Sequence, residues 1–405
     1  MKLAETGLQQ FSMHVPRSGR FMLGLLRRLQ CGRLDLIVPG GQTFSFGGEL
    51  PGPDAVLEIR DWSVFDAIVR SGDVGFAETY LDDRWRTPDL YSLLLLAASN
   101  RRVLELALYG KWWGGLAYRL RHLLRANTRQ GSRKNIHAHY DLGNEFYGAW
   151  LDPTMTYSAA LFQGDPDRSL EQAQVAKYER ILRRLDVGRG ASILEIGCGW
   201  GGFAEYAART RGCRVLGITL SSEQLRFARK RIEDADLARS VEFSLTDYRD
   251  VGGSFDHVVS IEMFEAVGER FWPGYFDSVR ELLRPRGSAL VQTITIADAL
   301  FARYRLSTDF IQQYVFPGGM LPSPAVFRKL ARKAGLQVTD EYAFGTDYAQ
   351  TLRLWRNRYD TVCRGLRSLG FDARFERLWN FYLAYCEAGF RLASTDVVQF
   401  ELRRA

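Results

Sequence analysis

The sequence predicts an α/β protein, a Rossmann-like domain preceded by a smaller α+β unit, and three observations carry that reading. The first is the stretch Ile193–Gly202, I-L-E-I-G-C-G-W-G-G, where a β-branched apolar run ends in four glycines and the amphipathic segment Phe203–Arg209 begins at once. That pattern is a buried strand, a turn with almost no side chains, and the start of a helix. The second is the alternation downstream, with Arg214–Ile218 as strand, Ser221–Glu233 as helix, and Val241–Leu245 and Phe255–Ile261 as further strands. The third is size and composition: 405 residues, 46% hydrophobic and 25% charged, allow two sizeable cores.

The order of the glycines narrows the ligand. A dinucleotide site needs G-x-G-x-x-G and an acidic residue about 20 positions later. Here the turn reads Gly197-Cys198-Gly199-Trp200-Gly201-Gly202, and the next strand ends in Thr219 rather than Asp or Glu. Trp200 would crowd a pyrophosphate, and no Lys-Ser/Thr pair follows to make a P-loop. Glu195 inside the strand, followed by Gly197 and Gly199, resembles the first motif of class I S-adenosylmethionine-dependent methyltransferases. In such folds an acid after the third strand meets the adenine amine, which makes Asp247 the candidate. A glycine turn that merely closes a βα unit is the plainer alternative.

Composition sets further bounds. The N-terminus shows no secretory pattern, and the longest apolar run, Leu90–Ala98, is too short to span a bilayer. The five cysteines are scattered and lack C-x-x-C, which suits a reduced cytoplasm. The five histidines form no metal-ligand spacing, so no metal is expected. Between Arg101 and Lys134, nine basic residues stand against one acid, Glu105, with Tyr109, Trp112, Trp113 and Tyr118 interleaved. Such a segment suits an anionic membrane surface; a solvated helical linker and a single-stranded nucleic acid site are the alternatives.

The chain divides into an N-terminal α+β unit (1–100), the basic linker (101–134) and the catalytic domain (135–405). In the first unit, Gly32–Gly41 reads as a strand entering a turn, Gln42–Phe46 as its return, and Val56–Arg60 as a third strand; Trp62–Arg70, Ala77–Tyr80 and Leu90–Ser99 read as helices. In the catalytic domain the detour Ala297–Pro324 is long enough to need a function, such as covering a substrate.

Several motifs then point to one family. They are Asn135–Tyr147 (N-I-H-A-H-Y-D-L-G-N-E-F-Y), Leu151–Ser158 (L-D-P-T-M-T-Y-S), Leu194–Gly202, Ile218–Gln224 (I-T-L-S-S-E-Q) and Asp247–Asp250 (D-Y-R-D). Met263–Gly268 (M-F-E-A-V-G), Phe316–Pro322 (F-P-G-G-M-L-P) and Phe344–Tyr348 (F-G-T-D-Y) complete the series. In this order they closely resemble the cyclopropane-fatty-acyl-phospholipid synthases and the mycolic acid methyltransferases. Ile59–Trp62 and Gly72–Tyr80 resemble the longer, phospholipid-acting branch. The resemblance implies methyl transfer from S-adenosylmethionine to a cis double bond of a phospholipid acyl chain. It places the protein in the cytoplasm, peripherally on the inner membrane surface, with homodimers common among relatives. Carried over by position, Tyr157, Ser158, Glu195, Gly197, Gly199 and Gly201 line the cofactor, Thr219 and Gln224 meet its ribose and amino-acid end, and Asp247 and Tyr248 the adenine region. An alkene is a weak nucleophile and its attack leaves a carbocation, which aromatic faces stabilise. Tyr304, Phe310 and Tyr314 are candidates for that role, or for the wall of an acyl tunnel.

The family's base is implied to be a bound bicarbonate, held by a Cys, a Glu, a His, an Ile and a Tyr. Glu265, Ile294 and Tyr348 match, but Ala159 stands at the Cys position and Gln292 at the His position, and Ala266 replaces a usual His. Loss of donors around a small anion is costly. Three outcomes stay open: bicarbonate still binds and a ring forms; Glu265 or another group takes the proton after a hydride shift, giving a methyl- or methylene-branched chain; or the chain is a weakly catalytic lipid binder. A nucleic-acid or small-molecule methyltransferase should carry N-P-P-Y or a catalytic Cys near the fourth strand, and Ser260–Met263 has neither; no nucleic acid partner is expected.

Overall fold

In the computed structural model, residues 15–108, 142–165 and 167–404 are described. The N-terminal unit begins with helix α1 (Arg17–Leu26), whose inward face buries Met22, Leu23, Leu25 and Leu26. Strands β1 (Cys31–Ile37), β2 (Thr43–Gly47), β3 (Leu50–Ile59) and β4 (Trp85–Arg86) form a sheet ordered β2-β1-β3-β4, with β1 and β3 parallel. Helix α2 (Ser63–Leu81) joins the two helical stretches read from the sequence, and it breaks at Gly72, where φ is 63° and ψ −134°. Glycine reaches that conformation without the Cβ penalty. Trp85 is fully buried, stacked at 4.2 Å on Phe76, with its indole N–H donating to the Phe76 carbonyl at 3.0 Å.

Helix α3 (Leu90–Ser99) ends at Asn100, a buried side chain that works as a backbone surrogate. Its Oδ1 accepts from the Gln30 and Cys31 N–H groups at 2.7 and 3.2 Å, and its Nδ2 donates to the Cys31 carbonyl at 2.9 Å. Helix α4 (Arg101–Leu108) follows, so the basic segment begins as a helix packed on α2; residues 109–134 lie outside the described residues.

The catalytic domain opens with α5 (Asn144–Gly148) and α6 (Leu170–Arg184), the latter started by a full capping box from Ser169 and Gln172. Its sheet comprises β5 (Ser192–Ile196), β6 (Arg214–Thr219), β7 (Val241–Leu245), β8 (Phe255–Ile261), β9 (Leu283–Ile296), β10 (Leu336–Ala343) and β11 (Thr395–Arg404), ordered β10-β11-β9-β8-β5-β6-β7. Strands β5 to β9 pair in parallel, and β11 runs antiparallel to both neighbours. Helices α7 (Gly202–Arg211), α8 (Ser222–Asp234), α9 (Trp272–Leu282) and α11 (Pro324–Lys333) cover it, with the short α10 (Asp298–Tyr304) between β9 and α11. The strand order reverses between β5 and β8, and crevices at such switch points bind ligands beyond the strand carboxyl ends. The fold is therefore α/β of the class I methyltransferase type.

The long detour after β9 folds as α10, a π-helical turn at Ile311–Val315 and an extended return to α11. Two late helices, α12 (Gly345–Val362) and α13 (Ala373–Arg391), join the two units: α13 packs on both α12 and α3. One hydrophobic cluster runs without interruption from Met22 and Leu36 of the first unit to Trp355 and Trp379 of the second. Ion pairs Arg377–Asp83 and Arg374–Asp82 rim that seam.

Candidate active site

The glycine turn leaves β5 as the pattern requires. Gly197, Gly199 and Gly201 have φ of 84°, 52° and 82°, a region L-residues rarely adopt. Their roles differ. A Cβ on Gly201 would lie 2.9 Å from the Phe243 ring and one on Gly197 2.9 Å from Met263, so these two serve packing. A Cβ on Gly199 would meet nothing within 4 Å; it would project into open space over the turn. Beside it, Glu195 is buried with Oε2 lacking any hydrogen-bond partner, and burial pushes its carboxyl well above the usual range.

The neighbouring strand ends supply the rest of this crevice. Thr219 Oγ1 donates to Gln224 Oε1 at 2.8 Å, so the group Gln224 offers a ligand is its Nε2 donor. Asp247, buried past the end of β7, takes Arg249 Nε and Nη2 at 2.8 and 2.6 Å and caps a short turn that holds Tyr248 against Tyr275. Ser158 Oγ accepts from Lys177 Nζ at 2.6 Å. Tyr157 sits among Tyr147, Trp150 and Trp355 with its hydroxyl 2.7 Å from that of Tyr382. An orphaned carboxylate oxygen, a side-chain-free turn and converging polar groups fit an adenosyl amino acid.

Next to this crevice two carboxyl groups share a buried pocket. Glu262 Oε1 accepts from the Ala159 backbone N–H at 2.8 Å and from Gln292 Nε2 at 2.7 Å, and Oε2 accepts from the Tyr348 hydroxyl at 2.7 Å. Its backbone has φ 51°, a left-handed conformation costly for a side chain and often retained at working sites. Burial raises the Glu262 carboxyl, while the Lys177 ammonium and the three donors pull it back toward the ionised form. Glu265 takes the Ile294 N–H on Oε1, and burial, then the charge of Glu262, pushes its carboxyl up to about 8. Burial leaves both carboxyls above their ordinary values, and the three donors that Glu262 carries favour placing a charge shared by the pair on Glu262.

The orientation of Gln292 is fixed from a distance. Arg180 Nη1 donates to Gln399 Oε1; Gln399 Nε2 donates to Gln292 Oε1 at 2.9 Å; Gln292 Nε2 is then left facing Glu262. Gln399 and Gln292 are cross-strand partners on β11 and β9, and Asp340 on β10 anchors Arg180 at 2.9 Å. A guanidinium has no acceptor, so each amide in the chain can point only one way.

Comparison with known proteins places this geometry. The profile of the mycolic acid cyclopropane synthetase family matches residues 127–400. The tuberculostearic acid methyltransferase of Mycobacterium tuberculosis is 42% identical over 345 residues, covering 83% of this chain and 80% of that one. The cyclopropane-fatty-acyl-phospholipid synthase of Escherichia coli K12 is 33% identical over 355 residues, covering 86% of this chain and 88% of that one. The chain belongs to the cyclopropane synthase family. A mycolic acid cyclopropane synthase solved with S-adenosylhomocysteine and a quaternary ammonium detergent superposes with a TM-score of 0.63 at 32% identity, covering 67% of this chain and 98% of that one.

This cyclopropane synthase relative is accordingly an S-adenosylmethionine-dependent methyltransferase, and the adenosyl crevice described above is where its residues fit that cofactor. Bicarbonate fits poorly. The three donors nearest its expected place, from Ala159, Gln292 and Tyr348, are all spent on the Glu262 carboxylate. The structure brings Glu265, Gln292, Ile294 and Tyr348 together as expected from the sequence, and adds Glu262 and the fully buried Lys177, whose amine burial lowers to about 7. Both were legible in part. Lys177 and Gln174 interrupt the otherwise apolar stripe Leu170, Ala173, Tyr178, Ile181 on α6, and Glu262 is an acid added three residues before Glu265 where a Cys and a His are missing.

A cavity of 810 Å³ reaches this pocket, touching Tyr157, Glu262, Glu265, Ile294 and Tyr348 at one end. Among the three aromatic candidates, Tyr304 lines it, with its buried hydroxyl accepting from Gln312 Nε2 at 3.1 Å. Phe310 and Tyr314 back the wall instead: Phe310 packs 4.7 Å from Phe381, and the Tyr314 hydroxyl donates to Glu78 of α2. Tyr382 and Phe316, which do line the cavity, face each other at 6.0 Å. The far end opens into the N-terminal unit, where Leu26, Leu34, Leu57, Phe65 and Leu94 form its walls.

Proposed function

We propose that this enzyme methylates a cis double bond in the unsaturated acyl chain of a phospholipid, and that Glu262 takes the proton that ends the reaction. The observation that carries the reading is the Glu262 carboxylate held on three donors at the place where the family resemblance puts bicarbonate. S-adenosylmethionine supplies the methyl group. The apolar cavity excludes water and aligns the alkene, and the surrounding tyrosines shield the cation left on the chain. Glu262 Oε2 has a single donor, so a lone pair remains to accept a proton.

The three donors hold the basicity of Glu262 below what burial alone would give it, which gives the cation time to rearrange. A hydride moves from the methylated carbon to its neighbour, the cation moves to the methylated carbon, and loss of a proton from the new methyl group to Glu262 leaves an exocyclic methylene branch. Among the described residues no helix is long and apolar enough to cross a membrane; the basic segment from Arg101 to Lys134 supports a peripheral approach to the substrate at the membrane surface.

The test is incubation with trideuteromethyl S-adenosylmethionine and vesicles of cis-monounsaturated phospholipid, with and without bicarbonate. Ring and methylene both lose one deuteron, so NMR of the fatty esters separates vinylic from ring carbons. A methylene product indifferent to bicarbonate supports the reading. A bicarbonate-dependent ring returns the base to the bound anion, and unlabelled lipid removes the substrate assignment.

A further inference from the structure

Helix α1 has two faces with different duties. Met22, Leu26 and Leu29 face inward and line the acyl cavity. Arg17, Arg20, Phe21 and Gly24 face outward at a spacing of three and four residues, and Arg27 and Arg28, in the turn that ends the helix, continue the exposed stripe. From Val15 to Gln30 there are four arginines and no acid. None of the four makes an ion pair among the described residues. On α8, by contrast, exposed cations have acids beside them: Arg226 meets Glu223 at 2.7 Å and Lys230 meets Asp234 at 3.0 Å. Arg17 and Arg20 also stand in the first turn, against the positive end of the helix dipole, so local stability does not explain them.

The stripe adjoins the cavity rim. Helix α1 packs against α4, whose Arg101 lines the cavity together with the exposed Arg303 and with Leu306, which is 61% exposed. Phe21, 41% exposed in the middle of the arginines, supplies an apolar side chain at the level where lipid headgroups meet acyl chains.

We propose that the outer stripe of α1 is the surface on which the enzyme docks to a bilayer carrying anionic phospholipid. The inference rests on the lipid-methylation reading above and assigns its membrane contact to α1. Unpaired guanidinium groups around an exposed ring complement a negatively charged interface, and the same helix hands its opposite face to the acyl chain. Docking thereby sets the cavity rim against the leaflet from which the chain must enter.

The experiment is flotation with vesicles of phosphatidylglycerol and phosphatidylcholine, against phosphatidylcholine alone, for wild type and for R17Q/R20Q/R27Q/R28Q. Wild type should float only with the anionic vesicles and release in high salt. The quadruple variant should lose partitioning by at least about a hundredfold, since each basic residue near such a surface contributes roughly a factor of five. Its methylation of the same vesicles should fall in parallel, while its methylation of detergent-dispersed phospholipid, its circular dichroism and its Tm hold. A folded quadruple variant that floats like wild type overturns the proposal, and so does a wild type that ignores anionic vesicles but binds polyuridylate. A wild type that floats through this stripe yet methylates no lipid in either form supports the docking surface and removes the substrate assignment instead.

Discussion

Replacing Glu262 by alanine should turn a self-sufficient enzyme into one that needs an added anion. The substitution removes the base, and positioned general bases contribute about 10²–10⁴-fold in rate. It also empties a carboxylate-sized space while leaving the Ala159 N–H, Gln292 Nε2 and Tyr348 hydroxyl aimed into it. Hydrogen bonds to a charged group are each worth about 1.5–3 kcal/mol, so three such donors hold formate, acetate or bicarbonate at millimolar concentration. The assay is label transfer from S-adenosylmethionine to vesicle lipid across an anion titration, with NMR of the product. Wild type should be insensitive to the anion; the alanine variant should start about 10²–10⁴-fold down and recover a saturable part of its turnover. Unimpaired turnover in the alanine variant without added anion would refute the assignment, as would loss without recovery while S-adenosylmethionine still binds.

Other perturbations test the surrounding structure. Glu265 titrates near 8 in the fold and near 4.5 when free, so between those values the folded state holds the extra proton and its stability declines as pH rises. Glu265→Gln should therefore raise Tm at pH 8 by an amount worth a few kcal/mol and by much less at pH 5; equal gains at both would contradict a protonated Glu265. Gly199→Ala should fold, lose about 1 kcal/mol from its positive φ and weaken S-adenosylmethionine binding more than tenfold by calorimetry, because its methyl enters the open cradle. Gln399→Leu should leave KM for the cofactor unchanged but lower kcat and shift its acid limb, because Gln292 is then free to flip its oxygen toward Glu262; an unmoved pH profile would count against the relay. Asn100→Ala should cost about 1–3 kcal/mol in urea denaturation, since partly buried backbone groups at Gln30 and Cys31 lose their partners.

Much of this architecture was readable in the sequence because period and turn chemistry are local properties. The strand, glycine turn and helix at 192–211 fall where the apolar run and the four glycines put them, and the strands at 241–245 and 255–261 match residue for residue. At Ala159 and Gln292 the sequence departs from the bicarbonate set that the family resemblance implies. Glu262 was visible as an acid three residues before Glu265, but its reach to Ala159 and Gln292 depends on a left-handed backbone just past β8, which periodicity does not reveal. Phe310 and Tyr314 mislead for a similar reason. An aromatic in a long detour can face the cavity or the opposite side of its wall, and only packing against α2 and α13 decides which.

The file of side chains running from Asp340 through Arg180, Gln399 and Gln292 to Glu262 has a bearing on how this enzyme can be re-engineered. Attempts to alter product outcome would naturally target residues that touch the lipid. Yet the polarity presented to Glu262, the proposed base, is set across β11 and β9 by Arg180 of α6, which is not part of the cavity lining. Two variants with identical cavity walls can therefore yield different ratios of isomers, and a screen confined to the cavity would overlook the lever that sets them.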